Sequence, residues 1–293
     1  VDLSKSVKII FIQRPYAEAT TIADIDATRE RLVRCILDVR NWCASRRLQL
    51  NAQKTELMWF GSATNLKKMS TSNLTLSVGS DVITPVKVVR DLGVHLDEEL
   101  TLKHHVNLVT RSCFFQLRRI RQIRRLAGPD VTKRLVSAFI LSRLDYCNAA
   151  LAGLPQTTLR PLQRVQNAAA RLVLNLRHYD HLTPAMKDLH WLPVNLRIKY
   201  KLCVLMHLIH THQCPEYMEE MVSLTASSTM RPGLRSASGL SYRKPKIRTK
   251  FGERAFSYSG PDAWNSLPEY LQTTTDTNCF KRFLKTYLFS CAY

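Results

Sequence analysis

The chain has 293 residues, 45% of them apolar, and a formal net charge of +20. Such a length and apolar fraction suffice for buried cores in two or three domains, and nine glycines and twelve prolines exclude a low-complexity chain. No run of 18 uncharged apolar residues occurs, and Lys8 interrupts the short apolar patch at 7–12, so neither a transmembrane helix nor a signal sequence is expected.

The chain lacks an initiator Met and reads as a fragment. Its eight cysteines are scattered without a C-x-x-C pair. Cys35, Cys43, Cys113 and Cys203 fall on apolar helical faces, the pattern of reduced core cysteines in an intracellular protein.

Near the start lies Tyr16-Ala17-Glu18-Ala19, close to the Tyr-Ala-Asp-Asp metal box of reverse transcriptases. Residues 24–48 then read as a helix, with Ile25, Leu32, Ile36, Val39 and Cys43 at helical spacing and Asp24 as its cap. Residues 55–60 read as a strand ended by Gly61, and residues 62–73 as a polar loop. Leu74, Leu76 and Val78 alternate with polar residues, Gly79-Ser80-Asp81 supplies a turn, and Val82-Ile83 returns, which predicts a β-hairpin. Residues 88–96 add another strand.

Helices dominate after Asp97. Leu102, Val106, Val109, Cys113, Leu117 and Ile120 recur at steps of three and four until Gly128-Pro129 stops the helix. Asp130 opens a second helix that runs to about Asn148. Leu159, Leu162, Val165, Ala169 and Leu172 mark a third helix, and residues 194–211 a fourth. From Ser223 the chain is rich in Ser, Thr and Gly and strongly basic. "SYSGPDAWNSLP" predicts a turn at Gly260-Pro261, and an amphipathic helix over 280–289 closes the chain. The fold class expected is α+β and mostly helical.

Charge is concentrated. Residues 98–174 hold 13 basic and 4 acidic residues, and residues 226–254 hold 8 and 1. "RRIRQIRR" places Arg118, Arg119, Arg121, Arg124 and Arg125 within eight residues, and Arg160, Arg164 and Arg171 lie opposite the apolar stripe of the third helix. A solvated helix face ordinarily mixes signs. Arginine forks bind phosphate through paired hydrogen bonds, so this excess points to nucleic acid. The segment 231–254 reads either as a basic arm whose Tyr242 and Phe251 stack on bases or as a loop with ordinary surface charge.

"CVLMHLIHTHQC" offers Cys203, His207, His210, His212 and Cys214, but the spacing fits no common zinc finger, and packed or surface histidines are the plainer reading. The phosphate-loop, serine-hydrolase and metalloprotease motifs are absent, and no Asp-Asp dipeptide occurs. Glu18, Asp24 and Asp26 are close in sequence, but the two aspartates read as first-turn acids facing a helix dipole.

Several stretches together resemble one family. "DVRNWCASRRLQLNAQKTELMWFGS" is similar to the segment after the active-site hairpin in LINE-type (non-LTR) retrotransposon reverse transcriptases of the jockey-like group. "VVRDLGVHLDEELTLKHHV" resembles their primer-grip hairpin. "LVSAFILSRLDYCNAALAGLP", "LQRVQNAAARLVLNLRHYDHLTPAMKDLHWLPV" and "FGERAFSYSGPDAWNSLP" resemble their C-terminal extension. The order is the family's, and the resemblance covers residues 24–293.

This resemblance implies a remnant of the polymerase palm over 1–97, a helical thumb over 98–176, and a C-terminal extension over 177–293 that includes the basic segment 226–254. Tyr16 is 26 residues before Trp42, whereas the family's box precedes that Trp helix by about thirty, so "YAEA" reads as a coincidence in a linker or a degraded box. The catalytic aspartates would lie upstream. By the same resemblance Lys54 matches a lysine proposed to donate a proton to pyrophosphate. Leu92 and Gly93 match the turn that supports the primer end. Asp91 and Asp97 match family positions, though local capping is their plainer role. The thumb arginines would track an RNA template and its DNA primer or target DNA. No cofactor is expected on this fragment, whereas the complete parent would use Mg²⁺. No membrane partner is expected; the location implied is intracellular, in the nucleus, the cytoplasm or both. A non-enzymatic nucleic-acid-binding module and a non-functional relic of a transposable element are the alternatives.

Overall fold

A computed structural model describes residues 22–49, 55–69, 74–78, 81–225, 240–247 and 250–293. The chain is α+β and mostly helical, with two small antiparallel hairpins. It divides into two compact units, Val1–His105 and Val106–Tyr293.

The first unit begins with α1 (Ile22–Ser45). Leu32, Ile36 and Cys43 are buried at helical spacing, while Cys35 is exposed, so the expectation that Cys35 faces a core is corrected. Asp24 lies inside the helix, because α1 starts two residues before it, and is not the cap. Residues 55–60 form no named strand. Their single bridge joins Leu57 to Pro85, yet Leu57, Met58, Trp59 and Phe60 are all buried.

Extended backbone explains this burial, because alternate side chains point to opposite sides. Leu57 and Trp59 join Leu32, Ile36, Leu76 and Ile83 in one core. Met58 and Phe60 join Val89 in another. The segment is a divider with a core on each side.

The predicted polar loop instead contains α2 (Ala63–Met69), whose Leu66 packs on the first of these cores. Strands β1 (Leu76–Val78) and β2 (Asp81–Ile83) pair antiparallel as predicted, with Leu76 opposite Ile83. The single strand expected over 88–96 is a hairpin of β3 (Val88–Asp91) and β4 (Val94–Asp97). Its two turn residues, Leu92 and Gly93, both have positive φ, 43° and 88°. A two-residue turn of this hand matches the twist of the strands and favours Asn-Gly.

In the second unit, α3 (Lys103–Val136) bends at Gly128, where φ is 72° and ψ is 172°. The Gly128-Pro129 stop therefore falls where the sequence placed it. Thr132 Oγ1 donates to the Gly128 carbonyl at 2.6 Å and steadies the second arm. That arm runs through a widened turn, Ser137–Leu141, into α4 (Ser142–Asp145).

Helix α5 (Gln156–Leu174) buries all five of its predicted apolar positions. Next come α6 (Leu182–Asp188), α7 (Val194–His210) and α8 (Glu216–Glu219). They are followed by α9 (Phe256–Asn265), α10 (Glu269–Gln272) and α11 (Thr277–Ala292). The turn expected at Gly260-Pro261 is instead the middle of α9. Proline removes one helical hydrogen bond there. Gly260 compensates by letting the helix lie close to its neighbour, since an added Cβ would sit 2.8 Å from Met206 Sδ.

Trp264 is fully buried in the core formed by α7, α9 and α11. Its indole N–H donates to the Leu240 carbonyl at 2.9 Å, and Tyr242 meets it edge-on with ring centroids 6.3 Å apart. A residue of this size in such a place is worth about 3–5 kcal/mol against Ala. Arg197 grips Asp145 through both carboxylate oxygens, with Nε 2.7 Å from Oδ1, and ties α7 to α4. Among the described residues no helix is long and apolar enough to cross a membrane.

Candidate nucleic-acid interface

The first arm of α3 is positioned by its apolar stripe. Val106, Cys113, Leu117 and Ile120 are buried, and the helix face flanking that stripe is turned to solvent. Arg118 and Arg125 are seven residues apart on that face, with Arg121 between them at i+3 and i+4, and all three are exposed. Arg119 is exposed beside them, its guanidinium carbon 5.8 Å from the centroid of the Phe115 ring.

Two contributors went unread in the sequence. Arg111 is exposed one heptad before Arg118, and Phe114 and Phe115 are solvent-facing aromatics among the arginines. Seven-residue spacing back from Arg118 was the signal for Arg111. The phenylalanines carried none, because apolar residues in a helix read as core by default.

Arg124 behaves differently. Its Nε donates to the Leu172 carbonyl at 2.7 Å, and Nη1 donates to Asn175 Oδ1 at 2.8 Å, so it fastens α3 to the end of α5. Arg171 is half-buried, and its Nε donates to the Arg177 carbonyl at 3.3 Å. Arg160 and Arg164 are exposed on α5. Gly93 occupies the β3–β4 turn in the first unit, and Lys54 lies outside the described residues.

Ion pairs among the described residues lie elsewhere: Arg29–Asp26, Arg197–Asp145, His212–Glu219, Lys244–Asp262 and Lys250–Glu253. Among the described residues no carboxylate pairs with the exposed arginines of α3.

Tyr242 is not a stacking arm. It is buried, its N–H donates to Asn265 Oδ1 at 2.9 Å, and its ring packs on Trp264. That expectation is corrected: an aromatic in a basic stretch was taken up by the core. Phe251 is half-buried, and most of the remaining basic segment lies outside the described residues.

The two histidines of α7 are packed, each in its own surroundings, and His212 beyond the helix is exposed. His207 is fully buried and stacks on Phe280 with centroids 4.1 Å apart. His210 Nδ1 is 3.2 Å from the Tyr242 hydroxyl, and His212 Nδ1 is 3.2 Å from Glu219. Burial pushes the Cys203 thiol up to about 12, so it stays protonated in the core. Among the described residues no group of three or more His, Cys, Asp or Glu side chains is placed to hold a metal ion. Asp97 caps: its carboxylate accepts from the Thr101 N–H at 2.9 Å, the Thr101 hydroxyl at 2.7 Å and the Leu102 N–H at 2.7 Å.

No protein-family model, curated protein or solved structure matches the chain.

Proposed function

We propose that this chain is the C-terminal part of a retrotransposon-type reverse transcriptase and binds template–primer nucleic acid through the exposed arginine row of α3. The observation that carries this reading is the face itself. Arg118, Arg121 and Arg125 lie on one side of a helix, exposed and without carboxylate partners among the described residues, in a protein of net charge +20. Such a row matches a phosphate backbone, and attraction to phosphates is sequence-independent and salt-sensitive. Exposed Phe114 and Phe115 add flat surfaces on which unpaired bases stack. The ordered series of motifs that resembles LINE-type enzymes supplies the family and the kind of nucleic acid.

Polymerase chemistry needs carboxylates that converge on two metal ions, and the 293 residues contain no Asp-Asp pair. The reading therefore assigns the chain binding and positioning, not phosphoryl transfer on its own. The test is fluorescence anisotropy with an RNA–DNA primer-template duplex across a salt series. The expected result is a steep fall of affinity with salt. The variant Arg118→Glu/Arg121→Glu/Arg125→Glu should lose about tenfold or more in affinity and flatten the log–log salt slope by about 2 or more. Unchanged affinity and slope in that variant overturn the assignment to α3. Templated primer extension by the chain alone with Mg²⁺ overturns the division of labour.

A further inference from the structure

A hollow of about 470 Å³ opens in the second unit, lined by residues of α5, by the start of α6 and by the start of α7. Its polar lining is Gln156, Gln163 and Asn167 from α5, Thr183 from α6, Asn195 from α7 and, just beyond α11, Tyr293, whose hydroxyl donates to the Trp191 carbonyl at 2.8 Å. Leu159 and Met186 contribute apolar wall. No charged side chain lines it, although the chain is strongly basic.

Two of the lining amides, Gln163 and Asn167, are held by hydrogen bonds. Gln163 Oε1 accepts from the Val194 backbone N–H at 2.9 Å, which settles which end of Gln163 is oxygen. Its Nε2 then donates to Gln166 Oε1 at 3.1 Å and to Asn167 Oδ1 at 2.8 Å. Gln166 is itself buried and donates to the Leu192 carbonyl at 2.8 Å. The chain of bonds leaves the amide N–H groups of Asn167 as its remaining donors at the hollow. Among the described residues the side chains of Gln156, Thr183 and Asn195 make no hydrogen bond.

Neutral amides, two of them held by hydrogen bonds, beside apolar walls suit a flat uncharged ligand whose edge carries a donor next to an acceptor. Nucleobases have such edges, and Asn and Gln read them with paired bonds. Arg160 and Arg164 are exposed on the same side of α5 as Gln156, Gln163 and Asn167, at helical offsets of 0, 4, 7, 8 and 11.

We infer that this hollow receives one unstacked nucleobase of a bound single strand, with Asn167 reading its edge and Arg160 and Arg164 holding the adjoining phosphates. The inference rests on the nucleic-acid reading above but uses a different surface.

The experiment pairs two measurements on the full chain. Saturation-transfer NMR is run with adenosine, guanosine, cytidine and uridine. Anisotropy is run with a 12-nucleotide single strand. The wild type should transfer saturation to at least one nucleoside. Asn167→Ala and Thr183→Tyr should each abolish that signal and lower oligonucleotide affinity about 3- to 10-fold at an unchanged salt slope. Thr183 is exposed, so its variant tests the pocket even where Asn167→Ala fails to fold. The triple α3 variant should keep the nucleoside signal. No nucleoside signal in the wild type, or a signal that survives both pocket variants, overturns the pocket. Salt-sensitive oligonucleotide binding alongside that result leaves the α3 reading standing. Absence of oligonucleotide binding by the wild type overturns both.

Discussion

Arg124 Nε donates to the Leu172 carbonyl at 2.7 Å, while Asn175, whose side chain also accepts from Arg124, closes α5 in the left-handed conformation at φ 56°. A carbonyl in the last turn of a helix lacks an internal partner, and a cation there suits the helix dipole. One of the five arginines in "RRIRQIRR" is thus structural, although in sequence it cannot be told from its neighbours. Arg124→Lys keeps the charge but loses the fork. It should lower stability by about 1–2 kcal/mol and leave the salt slope of nucleic-acid binding unchanged. Urea unfolding and the anisotropy titration check the two halves. A change in slope without a change in stability would move Arg124 into the binding row.

His207 makes the second unit acid-sensitive. Burial, then nearby His210, lowers its pKa from 6.5 to about 4; Asp276 opposes the shift and Lys281 reinforces it. Nε2 lies 3.2 Å from Thr277 Oγ1, and buried Nδ1 has no hydrogen-bond partner among the described residues. The unfolded chain takes up the proton as pH falls through 6.5, while the folded chain resists until about 4. Stability is therefore full above the unfolded value and declines between the two, by at most about 3 kcal/mol from this residue. Thermal unfolding between pH 7 and pH 4 should show the decline, and His207→Phe should flatten it. An equally steep profile in that variant would assign the effect to His210 or His105, whose pKa values are also lowered mainly by burial.

Leu92 holds a left-handed conformation, φ 43°, at 82% exposure. A leucine pays in backbone strain at that φ, whereas Asn tolerates it. Leu92→Asn should raise stability by about 0.4–1 kcal/mol. Calorimetry on the two proteins reads this directly, and a loss of stability would mean that Leu92 is packed in solution.

Periodicity made the long helices legible. The stripes in α1, α3 and α5 announced both the helices and most of their buried residues, the range of α7 was legible without a named stripe, and Gly128-Pro129 marked the bend. Local signals failed where packing overrode them. Gly260-Pro261 reads as a turn, but the burial of Trp264 and the close approach to Met206 hold it in a helix. Residues 55–60 read as a strand, but they find one bridge and two cores rather than a sheet. At the interface the excess of arginine was visible, but which arginines are free was not. That depends on where a helix 48 residues away presents a carbonyl. The amide hollow was invisible for the same reason, since Asn167 and Asn195 meet only through the fold.

Asp97 is the last residue whose two readings separate cleanly. The resemblance to LINE-type enzymes matches an acid to this position, and under the proposed reading an acid here would invite a metal role. Its carboxylate is instead occupied by the Thr101 N–H and hydroxyl and by the Leu102 N–H. Those bonds hold a strained approach to α3, where Leu100 and Leu102 have φ of 50° and 54°. Such backbone persists only when its surroundings fix it. Asp97→Ala should therefore cost about 1–2 kcal/mol, the worth of a good cap, and the loss should be the same with and without Mg²⁺. Asp97→Asn, which retains one acceptor oxygen, should recover part of it. Unfolding midpoints of the three proteins, measured in EDTA and in millimolar Mg²⁺, decide the matter. A Mg²⁺-dependent gain in the wild type that vanishes in Asp97→Asn would make the carboxylate a metal ligand and not a cap.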